Sequence, residues 1–169
     1  DSLNTLLSEL SQLRENMKTQ KKIVLKIDPD STKQHYGMIL NLVQKYKIDG
    51  IIATNTTISR PQDLRDEYKD EEGGISGQPL KELSNKVLSF LSKETNGELL
   101  LIGVGGISNA EDVYTKIKLG ASLVQLYTAL TFNGPQMINN IKRDLSLLLQ
   151  NDGYKNISDA VGIIHSWTK

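Results

Sequence analysis

Apolar residues recur at helical spacing through the first segment of the chain. Leu3, Leu6, Leu7, Leu10, Leu13 and Met17 form one stripe with polar and charged residues between them, which predicts a helix over 3–17. The period then changes. Ile23-Val24-Leu25-Lys26-Ile27 is a short β-branched run that stops at Asp28-Pro29-Asp30, the pattern of a buried strand entering a turn. Ser31 is the expected cap of a helix reaching about Tyr46, with Met38, Ile39, Leu42, Val43 and Tyr46 as its apolar face. The same alternation then repeats. Further strands are expected at 50–54, 99–103 and 122–126. Pro79 opens a helix with Leu80, Leu83, Val87, Phe90 and Leu91 inward and Gly97 as its stop. Ser108-Asn109-Ala110-Glu111 reads as a capping box for a helix ended by Gly120. Pro135 opens a last long helix with Met137, Ile138, Ile141, Leu145, Leu148 and Leu149 on one face, and a short helix is expected at 158–161.

Short, continuously apolar strands between amphipathic helices predict a parallel sheet covered by helices. Four βα units suit a small open sheet or half of an eight-stranded barrel. Two features favour the half barrel. Each strand runs at its C-terminal end into a polar or Gly-rich loop, where barrel active sites gather. The leading helix has no strand before it, as in a cut through a longer repeat. The expectation is one domain over 1–169, the last four βα units of a TIM (β/α)8 barrel, with the N-terminal half outside this chain. Residues 55–78 form a connection longer than compact domains usually tolerate without a function.

Composition removes several classes of function. The 169 residues carry 20 Lys+Arg against 20 Asp+Glu, so no basic footprint exists for nucleic acid or an anionic membrane. The absence of cysteine excludes disulfides, thiolate metal sites and cysteine nucleophiles within these residues. No apolar run approaches the roughly 18 residues of a membrane helix. The sequence opens on Asp1-Ser2 without Met, so a processed or truncated start is expected and a missing targeting segment carries no weight. The acidic stretch from Asp63 to Glu72 holds no histidine and reads as a solvated loop; no metal site is expected. His35 and His165 are assigned no role. Tyr114, Tyr154, Phe132 and Trp167 are expected to be packing residues.

Chemistry concentrates at the strand ends. Lys26 lies inside an apolar strand near its C-terminal end, where a charge is costly unless paired or used. It is a candidate Schiff-base nucleophile, a cation held against an anionic cofactor, or a lysine reaching solvent from the strand end. Thr54-Asn55-Thr56-Thr57 follows the second strand and offers uncharged donors and acceptors suited to a polar planar substrate, or plain turn chemistry. Gly73-Gly74-Ile75-Ser76-Gly77 and Gly103-Val104-Gly105-Gly106 are two glycine clusters. Glycine lets backbone amides approach an anion closely. If these strands are the last four of a barrel, the second cluster and Leu126-Tyr127-Thr128 occupy the two loops where barrels commonly bind phosphate.

Taken together, several motifs resemble dihydroorotate dehydrogenase. They are Lys26-Ile27-Asp28-Pro29-Asp30, Ile48-Asp49-Gly50-Ile51-Ile52-Ala53-Thr54-Asn55-Thr56-Thr57, Gly73-Gly74-Ile75-Ser76-Gly77-Gln78-Pro79-Leu80, Ile102-Gly103-Val104-Gly105-Gly106-Ile107 and Leu123-Val124-Gln125-Leu126-Tyr127-Thr128-Ala129-Leu130. The match is similar to the quinone-linked, membrane-associated class and runs from about Lys22 to Gly162. The resemblance implies oxidation of dihydroorotate to orotate in pyrimidine biosynthesis, with hydride passed to FMN and then to a quinone. It implies that Lys26 lies beside the flavin and stabilises its anionic reduced form. Thr54 would touch the flavin, and Asn55 and Thr56 would hydrogen-bond orotate. Ser76, Gly77, Gly105, Gly106, Leu126, Tyr127 and Thr128 would surround the FMN ribityl and phosphate. The serine base and the quinone-binding helices of that class lie upstream of this chain. The location implied is the mitochondrial inner membrane in a eukaryote or the cytoplasmic membrane in a bacterium. Asp28 departs from the small residue usual there and adds a carboxylate near Lys26. The alternatives are another FMN barrel such as a dihydrouridine synthase, a Schiff-base sugar-phosphate aldolase using Lys26, and a non-catalytic half-barrel interaction module.

Overall fold

The structure, a computed structural model, describes residues 2–17, 21–60, 64 and 71–165. Val24–Ile27 (β1), Gly50–Ala53 (β2), Leu100–Val104 (β3) and Leu123–Gln125 (β4) form one sheet in chain order. All three pairings are parallel. The register puts Lys26, Ile52, Ile102 and Leu123 side by side, and Ile27, Ala53, Gly103 and Val124 in the next row. Successive side chains alternate between faces. Leu25, Ile27, Ile51, Ala53, Leu101 and Val124 therefore share the face that joins the hydrophobic core. The opposite face carries exposed Lys26, Leu123 and Gln125.

Among the described residues the helices pack against the first face. Ser2–Asn16 (α1) contributes Leu7, Lys33–Lys45 (α2) Tyr36, Ile39 and Val43, and Lys81–Glu94 (α3) Val87, Leu88 and Leu91. Ala110–Lys118 (α4) adds Val113, Tyr114 and Ile117, and Gln136–Asn151 (α6) adds Met137 and Ile141. Truncating a buried leucine in such a core costs about 2–5 kcal/mol. The α1 helix is tied down by charge. Asp49 accepts hydrogen bonds from Arg14 at 2.9 Å and Lys22 at 2.8 Å, and the Ile23 amide adds a third at 2.9 Å. These partners, Lys22 first, hold its carboxyl below the usual value.

Several local expectations shift, each for a side-chain reason. The cap of α2 is Thr32, which accepts from the His35 amide at 3.2 Å. Ser31 instead donates to the Asp28 carboxylate. Asn109, not Ser108, caps α4 by accepting from the Asp112 amide at 2.8 Å. Ser108 is drawn away to Asp112, donating through both its amide and its hydroxyl at 2.9 Å, so the expected box on Glu111 does not form. Pro79 lies in a 3₁₀ turn, Gln78–Leu80, before α3 begins. A helix not anticipated, Thr128–Asn133 (α5), precedes Pro135. Phe132 on it is 82% exposed and packs nothing away. Met38 and Ile138 are exposed rather than inward. A 3₁₀ turn at Ile157–Ala160 stands close to the expected short helix. Tyr114 is buried and donates to Asp152 at 2.5 Å; burial, then Asp152, drives its pKa up. Trp167 and most of the acidic stretch lie outside the described residues. Among the described residues no helix is long and apolar enough to cross a membrane.

Candidate active site

The loop after β2 is pinned to both neighbouring strands. The Asn55 amide donates to the Ile27 carbonyl at 2.7 Å, and the Thr54 amide to the Val104 carbonyl at 3.1 Å. Thr54 is buried, and its hydroxyl donates to the Asn55 carbonyl at 2.9 Å. The Ala53–Thr54 peptide is cis. Asn55 and Thr56 remain exposed beside the open sheet face. Further along, Thr57 and Ile75 exchange two backbone bonds at 3.1 and 2.8 Å. The long connection therefore returns to the strand ends.

Asp30, in the loop after β1, holds this segment from the other side. It accepts from the Thr57 hydroxyl, the Ile58 amide at 2.9 Å and the Ser59 hydroxyl at 2.9 Å. Burial opposes its ionisation, but these donors outweigh burial and keep its carboxyl below the ordinary value. Sequence reasoning gave Asp30 no role. The available signal was a carboxylate at one strand end opposite a run of hydroxyl residues at the next. Asp28 turns to the Asp30 amide at 2.9 Å and to Ser31, so its carboxylate is spent on the turn rather than on Lys26.

The two glycine clusters converge with the loop after β4. Ser76 accepts from the Thr128 hydroxyl at 2.9 Å. Gly77, at φ 73°, approaches Thr128 so closely that a Cβ would lie 3.2 Å from its methyl. Gly74 backs onto Thr56, where a Cβ would overlap the side chain. Gly105 and Gly106 both adopt positive φ, 109° and 70°. A Cβ on Gly106 would collide with Lys81 at the start of α3. Glycine at 106 is thus required by the chain's own packing, whatever ligand lies in front of it. Leu126 is half-buried, and the Tyr127 side chain is 81% exposed. Lys26, Thr54, Asn55 and Thr56 gather at the ends of β1 and β2, and Ser76, Gly77, Gly105, Gly106 and Thr128 at the ends of β3 and β4.

Behind the glycine turn is a polar cluster. Gln78 donates to the Gly106 carbonyl at 2.9 Å and to the Ser108 hydroxyl at 2.7 Å. Asp112, 2% exposed, pairs with Lys81. Burial alone would raise the Asp112 carboxyl; Lys81, Ser108 and Gln78 together bring it below its usual value. Stability from a lowered carboxyl is complete above the unfolded value and is lost as pH falls through the folded one. Asp112→Asn should cost about 1–3 kcal/mol at neutral pH. It should also flatten the acid limb of the stability curve below about pH 4, measured by unfolding of the complete protein at stepped pH.

The glycine turn suits an anion. Outside the strand ladders, neither the Gly105 nor the Gly106 amide donates to a backbone carbonyl among the described residues. Their carbonyls are drawn back, Gly105 to the Ser84 hydroxyl at 3.2 Å and Gly106 to Gln78. Positive-φ turns with free amides form anion-binding concavities, so the residues present fit the phosphate of a cofactor. Among the described residues no group of His, Cys, Asp or Glu could hold a metal ion. A groove between α2 and α3, lined by Met38, Lys47, Asn96 and Leu99, contains none of the candidate residues.

A family model described as Dihydroorotate dehydrogenase matches residues 2–149. The chain is 44% identical over 165 residues to the mitochondrial dihydroorotate dehydrogenase (quinone) of Mus musculus, covering 96% of this chain and 42% of that protein. It is 47% identical over 145 residues to the dihydroorotate dehydrogenase (quinone) of Christiangramia forsetii, covering 86% and 42%. A crystal structure of the Eimeria tenella enzyme in complex with ferulenol superposes with a TM-score of 0.82 at 41% identity, over 85% of this chain and 38% of that one. The chain spans about two fifths of the length of the curated relatives it matches. The four parallel βα units are part of an α/β barrel of this kind, and the chain belongs to the dihydroorotate dehydrogenase family.

Proposed function

We propose that the complete protein oxidises dihydroorotate to orotate for pyrimidine synthesis, using FMN and passing electrons to a quinone. The observation that carries this reading is the continuous row at the strand ends, from Lys26 through Asn55 and Ser76 to Gly105, Gly106 and Thr128. Bound FMN would supply the hydride acceptor and the route to the quinone. The chain's own residues bind and orient. The amides of Gly105 and Gly106, with Ser76, Gly77, Leu126, Tyr127 and Thr128, hold the ribityl phosphate. Thr54 abuts the ring system. Asn55 and Thr56 offer hydrogen bonds to the orotate ring. Lys26 places a cation where negative charge builds as hydride leaves the substrate. The serine base and the rest of the FMN site belong to a further N-terminal half of the barrel, and the quinone site to the N-terminal part that carries the quinone-binding helices. Membrane association through that part puts the enzyme at the mitochondrial inner membrane in a eukaryote, or the cytoplasmic membrane in a bacterium.

The complete protein should show bound-flavin absorbance and dihydroorotate-dependent quinone reduction. A colourless protein, or a coloured one that ignores dihydroorotate, would reject the assignment. Asn55→Ala leaves substrate polar groups unpaired, at about 1–3 kcal/mol for each lost buried bond. Orotate affinity and turnover should fall while flavin content stays constant. Unchanged orotate affinity would reduce Thr54-Asn55-Thr56 to a turn.

A further inference from the structure

Lys116 is a buried lysine that the reading above does not use. It is 1% exposed, on the inner face of α4. Its stem lies against β3, where a Cβ on Gly103 would come 2.9 Å from Cδ. Its ammonium donates to the Ser84 hydroxyl and to Asn85 Oδ1 of α3, both at 2.8 Å. Neither partner is charged. The charges acting on it are Asp112 on α4 and Lys81 and Glu82 on α3. Burial pulls its pKa down to about 8, with Asp112 opposing. A methionine or leucine would fill this volume without the desolvation cost, so folding alone gives no reason for a lysine.

The hydrogen-bond bookkeeping supplies the reason. An ammonium only donates, and a serine hydroxyl has a single proton. With its oxygen accepting from Lys116, Ser84 must direct that proton to a carbonyl. Two are in reach, Lys81 at 3.0 Å and Gly105 at 3.2 Å. A trans peptide points its C=O and N–H in opposite directions. A Gly105 carbonyl drawn back to Ser84 therefore turns the Gly106 amide outward, away from α3. A Cβ on Gly105 would sit 3.0 Å from Ser84 Oγ, so the turn is seated directly on this hydroxyl. We propose that Lys116 is a positioning residue of the glycine turn: acting through Ser84, it fixes the Gly105–Gly106 peptide so that its amide faces a phosphate. This rests on the glycine turn being the flavin phosphate site.

The test compares FMN with riboflavin, which lacks the phosphate. Dissociation constants are measured by flavin fluorescence on the complete apoprotein for wild type, Lys116→Met, Ser84→Ala and the double variant. Wild type should prefer FMN. Either substitution should cut that preference about tenfold, the scale of one charge-assisted hydrogen bond, with riboflavin affinity little changed. The double variant should be no worse than either single one, because both act through the same hydroxyl. A general packing defect would weaken both flavins alike, and that result overturns the proposal. If Lys116→Met does not fold, Ser84→Ala decides: an undiminished FMN preference in it overturns the proposal. A wild type indifferent to the phosphate overturns the underlying reading of the glycine turn. A wild-type preference that survives in the variants overturns the role of Lys116 alone.

Discussion

Lys26→Ala in the complete enzyme should slow flavin reduction by dihydroorotate about 10²–10³-fold, the usual loss when a preorganised charge-stabilising group is removed. Orotate affinity should change far less. Lys26 stands on the open face of the sheet in the row of Ile52, Ile102 and Leu123. The nearest carboxylate in sequence, Asp28, is committed to Asp30 and Ser31. Among the described residues Lys26 makes no ion pair. It also lies one residue before the carbonyl that fixes Asn55, so cation and substrate contacts sit on adjoining strand ends. A loss confined to the rate is the mark of an interaction made in the transition state. Stopped-flow reduction beside orotate titration measures the split. If the rate survives and borohydride traps a covalent adduct in wild type, Lys26 is a Schiff-base nucleophile and an aldolase mechanism replaces this one.

These 169 residues expressed alone should be inactive and should not persist as a stable monomer. Among the described residues the sheet ends in two edge strands, β1 and β4, each paired on one side only, and its helices pack against one face. Leu123 and Phe132 near β4, Leu6 and Leu13 on α1, and Met17 just after it stand 50% or more exposed. Open edges and uncovered apolar surface invite association. Chemically, loss of a general base alone costs about 10²–10⁴ in rate, and in the proposed enzyme the base and quinone site both lie elsewhere. Dihydroorotate-dependent quinone reduction is assayed before and after adding the complementary N-terminal half. Activity that appears only on mixing is the expected result. Full activity in a stable monomer would refute both the half-barrel reading and the location of the base.

The order of elements was legible because short apolar strands and amphipathic helices have different periods, and each strand ends in a loop of distinct composition. Positions within a turn were not. Ser31 and Ser108 look like caps in sequence, yet each has a nearby aspartate that captures it, and the next residue caps instead. The helix α5 was missed because its six residues, Thr128–Asn133, have no side-chain cap at the N-terminus and no buried side chain. Lys26, Asn55 and the glycine clusters stood out as polar or flexible residues at strand ends. Their supports did not. Asp30 meets Thr57 across 27 residues, Gln78 meets Gly106 across 28 and Lys116 meets Ser84 across 32. Local pattern carries no information at that range. Lys116 in particular reads as an ordinary surface lysine of a helix until α3 is laid against it.

Strand pairing that follows chain order also bears on how the polypeptide is made. Each βα unit closes onto the one before it, so every strand pairs with its neighbour in chain order, across 26, 50 and 21 residues. A ribosome delivers about 5–20 residues per second, slow enough for a unit to dock before the next emerges. The nascent sheet then carries one growing edge, and each arriving strand conceals the edge its predecessor exposed. The last strand, β4, is only 3 residues long. Synthesis of this region therefore finishes on the shortest ladder in the sheet, which leaves little backbone for a neighbouring nascent chain to pair with.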